Sequence, residues 1–164
     1  MKLIDKKSGR VIAQISGTSV DEARKSLMSL LDHMDDKGRK TFENIDPVLK
    51  FSPDEYKQLI EKHIYAHYPQ SKQASDVADK NYYETMLKAK GVKNLEADIV
   101  SRAKRFFEGE SLENVVADVA DADKEAYVQL LKVAIRVEWV QQCKAELKAA
   151  MKEEREPNFP DYPL

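Results

Sequence analysis

Two histidines with helical spacing are the residues in this chain whose pattern could do chemistry. His63 and His67 lie four residues apart in a segment with helical periodicity, and residues with that spacing share one face of a helix. Both imidazoles could therefore reach one divalent ion. Glu138 is a third candidate, because it projects into an apolar sector of a later helix, where an ionised carboxylate needs a partner. Such a ligand set, completed by Glu138 or by His33, suits zinc or iron.

This pattern supports one hypothesis for function: a metal-binding helical bundle, or a metal-dependent enzyme, with a divalent transition metal as its cofactor. Structural roles explain the same residues more simply. His67 lies at the end of a predicted helix, where the helix dipole favours an imidazolium, and Glu138 can pair with an arginine. The sequence has no nucleophile elbow, dinucleotide fingerprint or cysteine pair. We therefore assign no catalytic residue and favour a protein without a cofactor.

The longest uninterrupted helical pattern covers residues 123–156, which contain neither glycine nor proline. At 1.5 Å per residue, such a helix is roughly 50 Å long. Between Tyr127 and Val140 the polar residues form one narrow stripe, and nearly all the others are apolar. This distribution predicts a central helix buried on several sides. After Gln141 the pattern inverts, and the apolar stripe continues on the face that was polar.

The second half of this helix carries its own apolar stripe, flanked by lysine, glutamate and glutamine. Monomers avoid an exposed stripe of that length, so something must cover it. Either an N-terminal hairpin or the helix over residues 19–36 covers it within the chain, or a second copy covers it in a two-fold dimer. We expect self-association through an interface formed by Val140, Cys143, Leu147, Ala150, Met151, Phe159 and Tyr162.

Local signals predict the other elements. Alternating polarity after a turn at residues 7–9 predicts an N-terminal β-hairpin within residues 1–16. Serine and asparagine caps predict helices that begin at Ser19, Ser52, Asn94 and Ser111, and another helix is predicted over residues 76–90. Residues 39–50 are predicted to be a connector. The residues expected to point inward from the connector and from the helix after Asn94 are Phe42, Ile45, Val48, Leu49, Ile99, Val100, Ala103, Phe106 and Phe107.

Together these signals predict a mainly α fold, a multi-helix bundle around the long C-terminal helix with an N-terminal β-hairpin. We expect a single domain over residues 1–156. An extended proline-rich tail is expected over residues 157–164, because each proline disfavours helix before it.

Composition narrows the class of partner. Charged residues make up 34% of the chain and the formal net charge is −2, which argues against nucleic-acid binding driven by bulk charge. No segment approaches the ~20 apolar residues of a membrane helix, and the first residues lack the apolar core of a signal peptide. We expect a soluble, cytoplasmic protein.

The leading hypothesis for function is a non-enzymatic interaction or assembly module. We expect it to form a homo-oligomer through the C-terminal helix and to bind a protein partner that the sequence does not identify. A local basic patch on the hairpin supports a second alternative, a nucleic-acid-associated accessory protein of the kind that phages or mobile elements encode. The patch consists of Lys2, Lys6, Lys7 and Arg10.

Overall fold

A computed structural model of the chain describes residues 1–16, 19–32 and 47–164. Among them, six helices hold more than half of the 164 residues, and three short strands form one antiparallel sheet, which confirms the mainly α fold. The strands are β1 (Lys2–Asp5), β2 (Val11–Gln14) and β3 (Pro47–Lys50). The helices are α1 (Val20–Asp32), α2 (Pro53–Tyr65), α3 (Gln70–Ala89), α4 (Leu95–Phe107), α5 (Leu112–Val115) and α6 (Asp121–Glu153).

Some of the predictions fall on residues outside the described ranges. They are the placements of His33, Phe42 and Ile45 and the last turn of the first helix. Within the described ranges, no helix has both the length and the apolar character that crossing a membrane requires.

The sheet contains the predicted hairpin and one strand more. In the hairpin Leu3 pairs with Ala13, and on its other side Leu3 pairs with Leu49 of β3. The strand order is therefore β2-β1-β3. The prediction of a connector over residues 39–50 was wrong for residues 47–50, because β1 offers a second free edge that an isolated hairpin would leave unpaired.

Four helices begin directly after the capping residues that the sequence predicts, Ser19, Ser52, Asn94 and Ser111. Ser52 Oγ accepts from the Glu55 amide at 3.2 Å, and Glu55 Oε1 accepts from the Ser52 amide at 2.9 Å, which is the reciprocal bonding of a capping box. Helix α3 begins six residues earlier than predicted. Pro69 stands at its N-cap in extended conformation, so this proline starts a helix as well as ending one.

Contacts divide the chain into two compact units, and each is described separately. The first unit comprises residues 1–63 and 143–159, and the second comprises residues 64–142 and 160–164. Helix α6 thus contributes residues 121–142 to the second unit and residues 143–153 to the first. The division falls where the apolar pattern changes face, which confirms that the two halves of this helix serve different cores. The single-domain organisation stays a prediction.

The core of the first unit covers part of the apolar stripe on the outer half of α6. Leu147 packs against it, and Ala150 is completely buried within it. The Tyr56 hydroxyl donates to the Arg155 carbonyl at 2.9 Å and so fixes the turn after the helix. The buried members of this core are Met1, Leu3, Val20, Ala23, Leu27, Phe51, Tyr56 and Ala150.

The core of the second unit is built on the inner half of α6. Leu131 and Ile135 are completely buried there, as the sequence predicts. Burial on several sides is nevertheless incomplete. Val137 keeps 49% of its surface exposed, and Glu138 beside it is exposed too. One apolar strip of the inner half therefore remains uncovered.

Two truncations within one turn of α6, on opposite faces, test this asymmetry. Ile135→Ala should lower the free energy of unfolding by about 2–4 kcal/mol, because it leaves a cavity in a closed core. Val137→Ala removes a half-exposed side chain and should change that free energy by less than about 0.5 kcal/mol. Urea denaturation followed by circular dichroism measures both. Both are measured on protein dilute enough to be monomeric, and equal losses there would contradict this asymmetry.

Candidate functional site

The structure does not assemble the predicted metal ligands. Among residues 1–16, 19–32 and 47–164, no three His, Cys, Asp or Glu side chains are placed to hold a metal ion. The His63 ring instead lies 5.1 Å from the Phe159 ring, centroid to centroid. The His67 ring lies against Tyr162, and Glu138 is exposed. Ring contacts engage both imidazoles, and a metal site at His63, His67 and Glu138 stays a prediction.

The C-terminal part of the tail enters a small aromatic site in the second unit. Tyr162 stacks on His67 with a centroid distance of 4.9 Å and an interplanar angle of 5°. The Tyr162 ring meets Trp139 nearly edge-on at 5.0 Å and 75°. Such stacked and edge-on pairs are favourable beyond the area they bury. Arg136 Nε donates to the Tyr162 hydroxyl at 3.0 Å, so both the ring and its polar end are held.

A backbone contact fixes the tail two residues earlier. Trp139 Nε1 donates to the carbonyl of Pro160 at 2.9 Å. Trp139 is completely buried, so its N–H needs a partner. We call His67, Arg136 and Trp139 the tail pocket. It binds the carbonyl of Pro160 and the side chain of Tyr162, two residues later.

A buried carboxylate orients the guanidinium of the tail pocket. Asp76 is 2% exposed and accepts from the Tyr68 hydroxyl at 2.8 Å. Arg136 Nη1 reaches both Asp76 oxygens at 3.1–3.2 Å, and Lys72 Nζ lies 3.2 Å from one of them. Removing one member of such a network would leave a buried charge unpaired. Asp76 therefore holds Arg136 in the one orientation that meets the tail.

The ionisation of this network is fixed by its contacts. Burial acts to lower the pKa of Arg136, but the hydrogen bond to Tyr162 and the charge of Asp76 outweigh it and raise that pKa. Burial and the hydrogen bond to Asp76 both raise the pKa of Tyr68. The guanidinium thus stays charged and the phenol stays neutral near neutral pH.

An apolar groove lies along the uncovered strip of α6 in the second unit. It consists of two adjoining depressions of about 370 and 320 Å³ that share Val100, Ala134 and Glu138. We call it the α4–α6 groove. Val100 was predicted to point inward, but 67% of its surface is exposed. That prediction was wrong because neighbouring Ile99 takes the inward position.

Charges of both signs border the α4–α6 groove. Glu96, Lys104 and Glu138 line it, and none of the three has an ion-pair partner among the residues that the structure describes. A groove with an apolar floor and unpaired polar groups at its edge has the composition of a protein interface, which has an apolar centre and a polar rim.

A buried arginine anchors α4, one wall of this groove. Arg102 is 8% exposed and binds Asp118 through two nitrogens, at 2.6 and 2.9 Å. Its Nε donates to Asp98 at 3.0 Å, and its guanidinium lies 5.3 Å from the centre of the Tyr127 ring. The hydrogen bonds from Arg102 lower the pKa of Asp118 to about 2. The wall is thus tied to the segment that leads into α6.

The residues of α6 and of the tail that were predicted to form an interface differ from one another in exposure. Cys143 and Ala150 are completely buried and offer no surface to another chain. Leu147 packs against the first unit's core, so the intrachain alternative accounts for it. Met151 keeps 42% of its surface exposed. Val140, Phe159 and Tyr162 are half-buried.

The single cysteine is inert in this setting. Burial raises the pKa of the Cys143 thiol to about 11, so it stays protonated near neutral pH. It behaves as the small core hydrophobe that the sequence predicts.

No protein-family model matches the chain, and no curated protein or solved structure is significantly similar to it. The fold and its two surfaces define a mainly α protein with a small antiparallel sheet.

Acid should weaken the anchor of α4 in a defined range. The pKa of Asp118 is lowered from its usual 3.8. The pair therefore stabilises the fold fully above that value and loses its contribution as the pH falls from about 4 to about 2. Asp118→Asn should be less stable than the wild type at pH 6, and the difference should shrink through this range.

Unfolding free energies from urea titrations at several pH values measure that difference. Asp79→Asn is the matched control, since Asp79 is exposed and has no ion-pair partner among the described residues. A difference between Asp118→Asn and the wild type that stays constant down to pH 2 would contradict the assignment.

Proposed function

We propose that this chain is a non-enzymatic protein-interaction module that self-associates through its long C-terminal helix. The observation that carries the proposal is the α4–α6 groove, where Val137 of α6 and Val100 of α4 stay 49% and 67% exposed. The contact surface proposed thus lies on the inner half of the helix and not on the outer half. A cytoplasmic location stays a prediction.

An apolar strip favours burial against another surface. Val100, Val137 and the half-buried Ala134 form a continuous lining of the groove. Contiguous apolar patches of this kind mark interaction sites when polar residues surround them. Each valine is already partly buried, so removing the rest of its side chain from water would contribute roughly 1 kcal/mol to association.

The charges at the edge favour a second copy as the occupant. In a two-fold dimer the same patch faces itself, so that residue i of one copy meets residue j of the other, and the reverse. The groove carries unpaired acids, Glu96 and Glu138, together with an unpaired base, Lys104, among the residues described. A surface with both signs can satisfy its own charges across such an axis, whereas a partner of one sign would leave some unmatched.

A charge placed in the centre of the groove tests the proposal. Val137→Glu and Val100→Glu should each weaken the dimer at least about thirtyfold, equivalent to about 2 kcal/mol, because a carboxylate would be buried without a partner. Sedimentation velocity measures the dimerisation constant. Circular dichroism should show unchanged helicity, because both side chains point to solvent in the monomer.

Val77→Glu is the matched control. Val77 lies on α3 with 63% of its surface exposed, and it does not line the groove. The same change of residue there should leave the dimer intact. A wild-type chain that stays monomeric at micromolar concentration would overturn the proposal, and so would equal effects of Val77→Glu and Val137→Glu.

A further inference from the structure

We infer that the tail pocket is a peptide-recognition site and that the tail segment of a second copy can occupy it in place of the chain's own. The site is independent of the α4–α6 groove: Arg136 and Trp139 project from a different face of α6 than Val137 does, given 100° per residue. The inference therefore goes beyond the proposed function and does not rest on it.

The pocket has the features of a specific peptide site. It supplies a flat partner for an aromatic ring at His67, an N–H donor for a backbone carbonyl at Trp139, and a charged donor for a hydroxyl at Arg136. These three contacts engage Pro160 and Tyr162 only. Sites of this kind combine main-chain hydrogen bonds, which give affinity, with side-chain pockets, which give specificity.

The pocket is also preorganised. The contacts between Asp76 and Arg136 do not involve the tail, and a buried carboxylate needs such a partner. Trp139 lies on the same helix, one turn after the completely buried core residue Ile135. Binding therefore costs little conformational entropy in the pocket, which favours affinity for a small ligand.

The ligand is preorganised as well. Residues 156–164 form no helix or strand, and prolines at positions 157, 160 and 163 restrict them to extended conformations. Release of this segment would therefore break no hydrogen bond of a helix or of the sheet. The same segment from another copy offers identical contacts, which is the condition for exchange of an element between protomers.

Concentration decides which copy's tail is bound. A short tether gives the chain's own tail an effective concentration in the millimolar range, so the intrachain contact dominates in dilute solution. Exchange becomes appreciable when the concentration of chains approaches that range, or when a chain without its own tyrosine meets a second copy that keeps it.

A labelled peptide tests the recognition step. The probe is a fluorescein-labelled peptide with the sequence of residues 157–164, and fluorescence anisotropy follows its binding to the full chain. Tyr162→Ala empties the pocket of its ring, so the peptide should bind this variant at least about tenfold more tightly than it binds the wild type. Circular dichroism checks that the variant is folded.

Substitutions in the peptide provide controls that do not disturb the protein. A peptide with phenylalanine in place of Tyr162 should bind more weakly, because it lacks the hydroxyl that Arg136 binds. A peptide with alanine there should not bind. Equal binding of the parent and alanine peptides, or no binding of the parent peptide to the Tyr162→Ala chain, would overturn the inference.

Exchange between full chains is tested in the Val137→Glu background, which removes the groove dimer. This variant should form dimers by sedimentation as its concentration approaches about 1 mM, and addition of Tyr162→Ala should abolish them. A Val137→Glu chain that stays monomeric at that concentration would overturn exchange. Loss of the groove dimer alone would leave these results unchanged, so the two proposals fail separately.

Discussion

A helix that changes its apolar face halfway along must be covered on two different sides. In α6 the change falls between Gln142 and Cys143, where the chain also passes from the second compact unit to the first. The hydrophobic effect depends on apolar area and not on direction. Each half of the helix is therefore buried by a different set of elements. The sheet and α1 form this set for the outer half, and α3 to α5 form it for the inner half. The division into two cores follows from this one inversion.

The inner half has more apolar circumference than its own unit covers. Leu131 and Ile135 face the core, Trp139 faces the tail, and a third sector with Val137 remains open. The polar stripe of the same half also has a structural role, through Arg136. Arg136 of this stripe pairs with buried Asp76, because a buried charge is stable only with partners.

The sequence predicts local structure here better than long-range placement. Caps such as Ser52 and Ser111 and the face inversion of α6 act within a few residues, and the structure confirms them. The strand at residues 47–50 escaped prediction because its pairing partner lies more than forty residues away. The tail pocket around Tyr162 was not predicted for the same reason. The polar stripe containing Arg136 was a visible signal, but neither Asp76 nor Tyr162 is near it in sequence.

The first unit is discontinuous: residues 1–63 and 143–159 form one core, and residues 64–142 intervene. A ribosome makes the chain from its N-terminus, and domains generally fold as units during synthesis. The sheet and α1 therefore emerge long before Leu147 and Ala150, which complete their core. Meanwhile Leu3 and Leu27 lack part of their final apolar cover. The core of the first unit can therefore be completed only after the outer half of α6 has been synthesised.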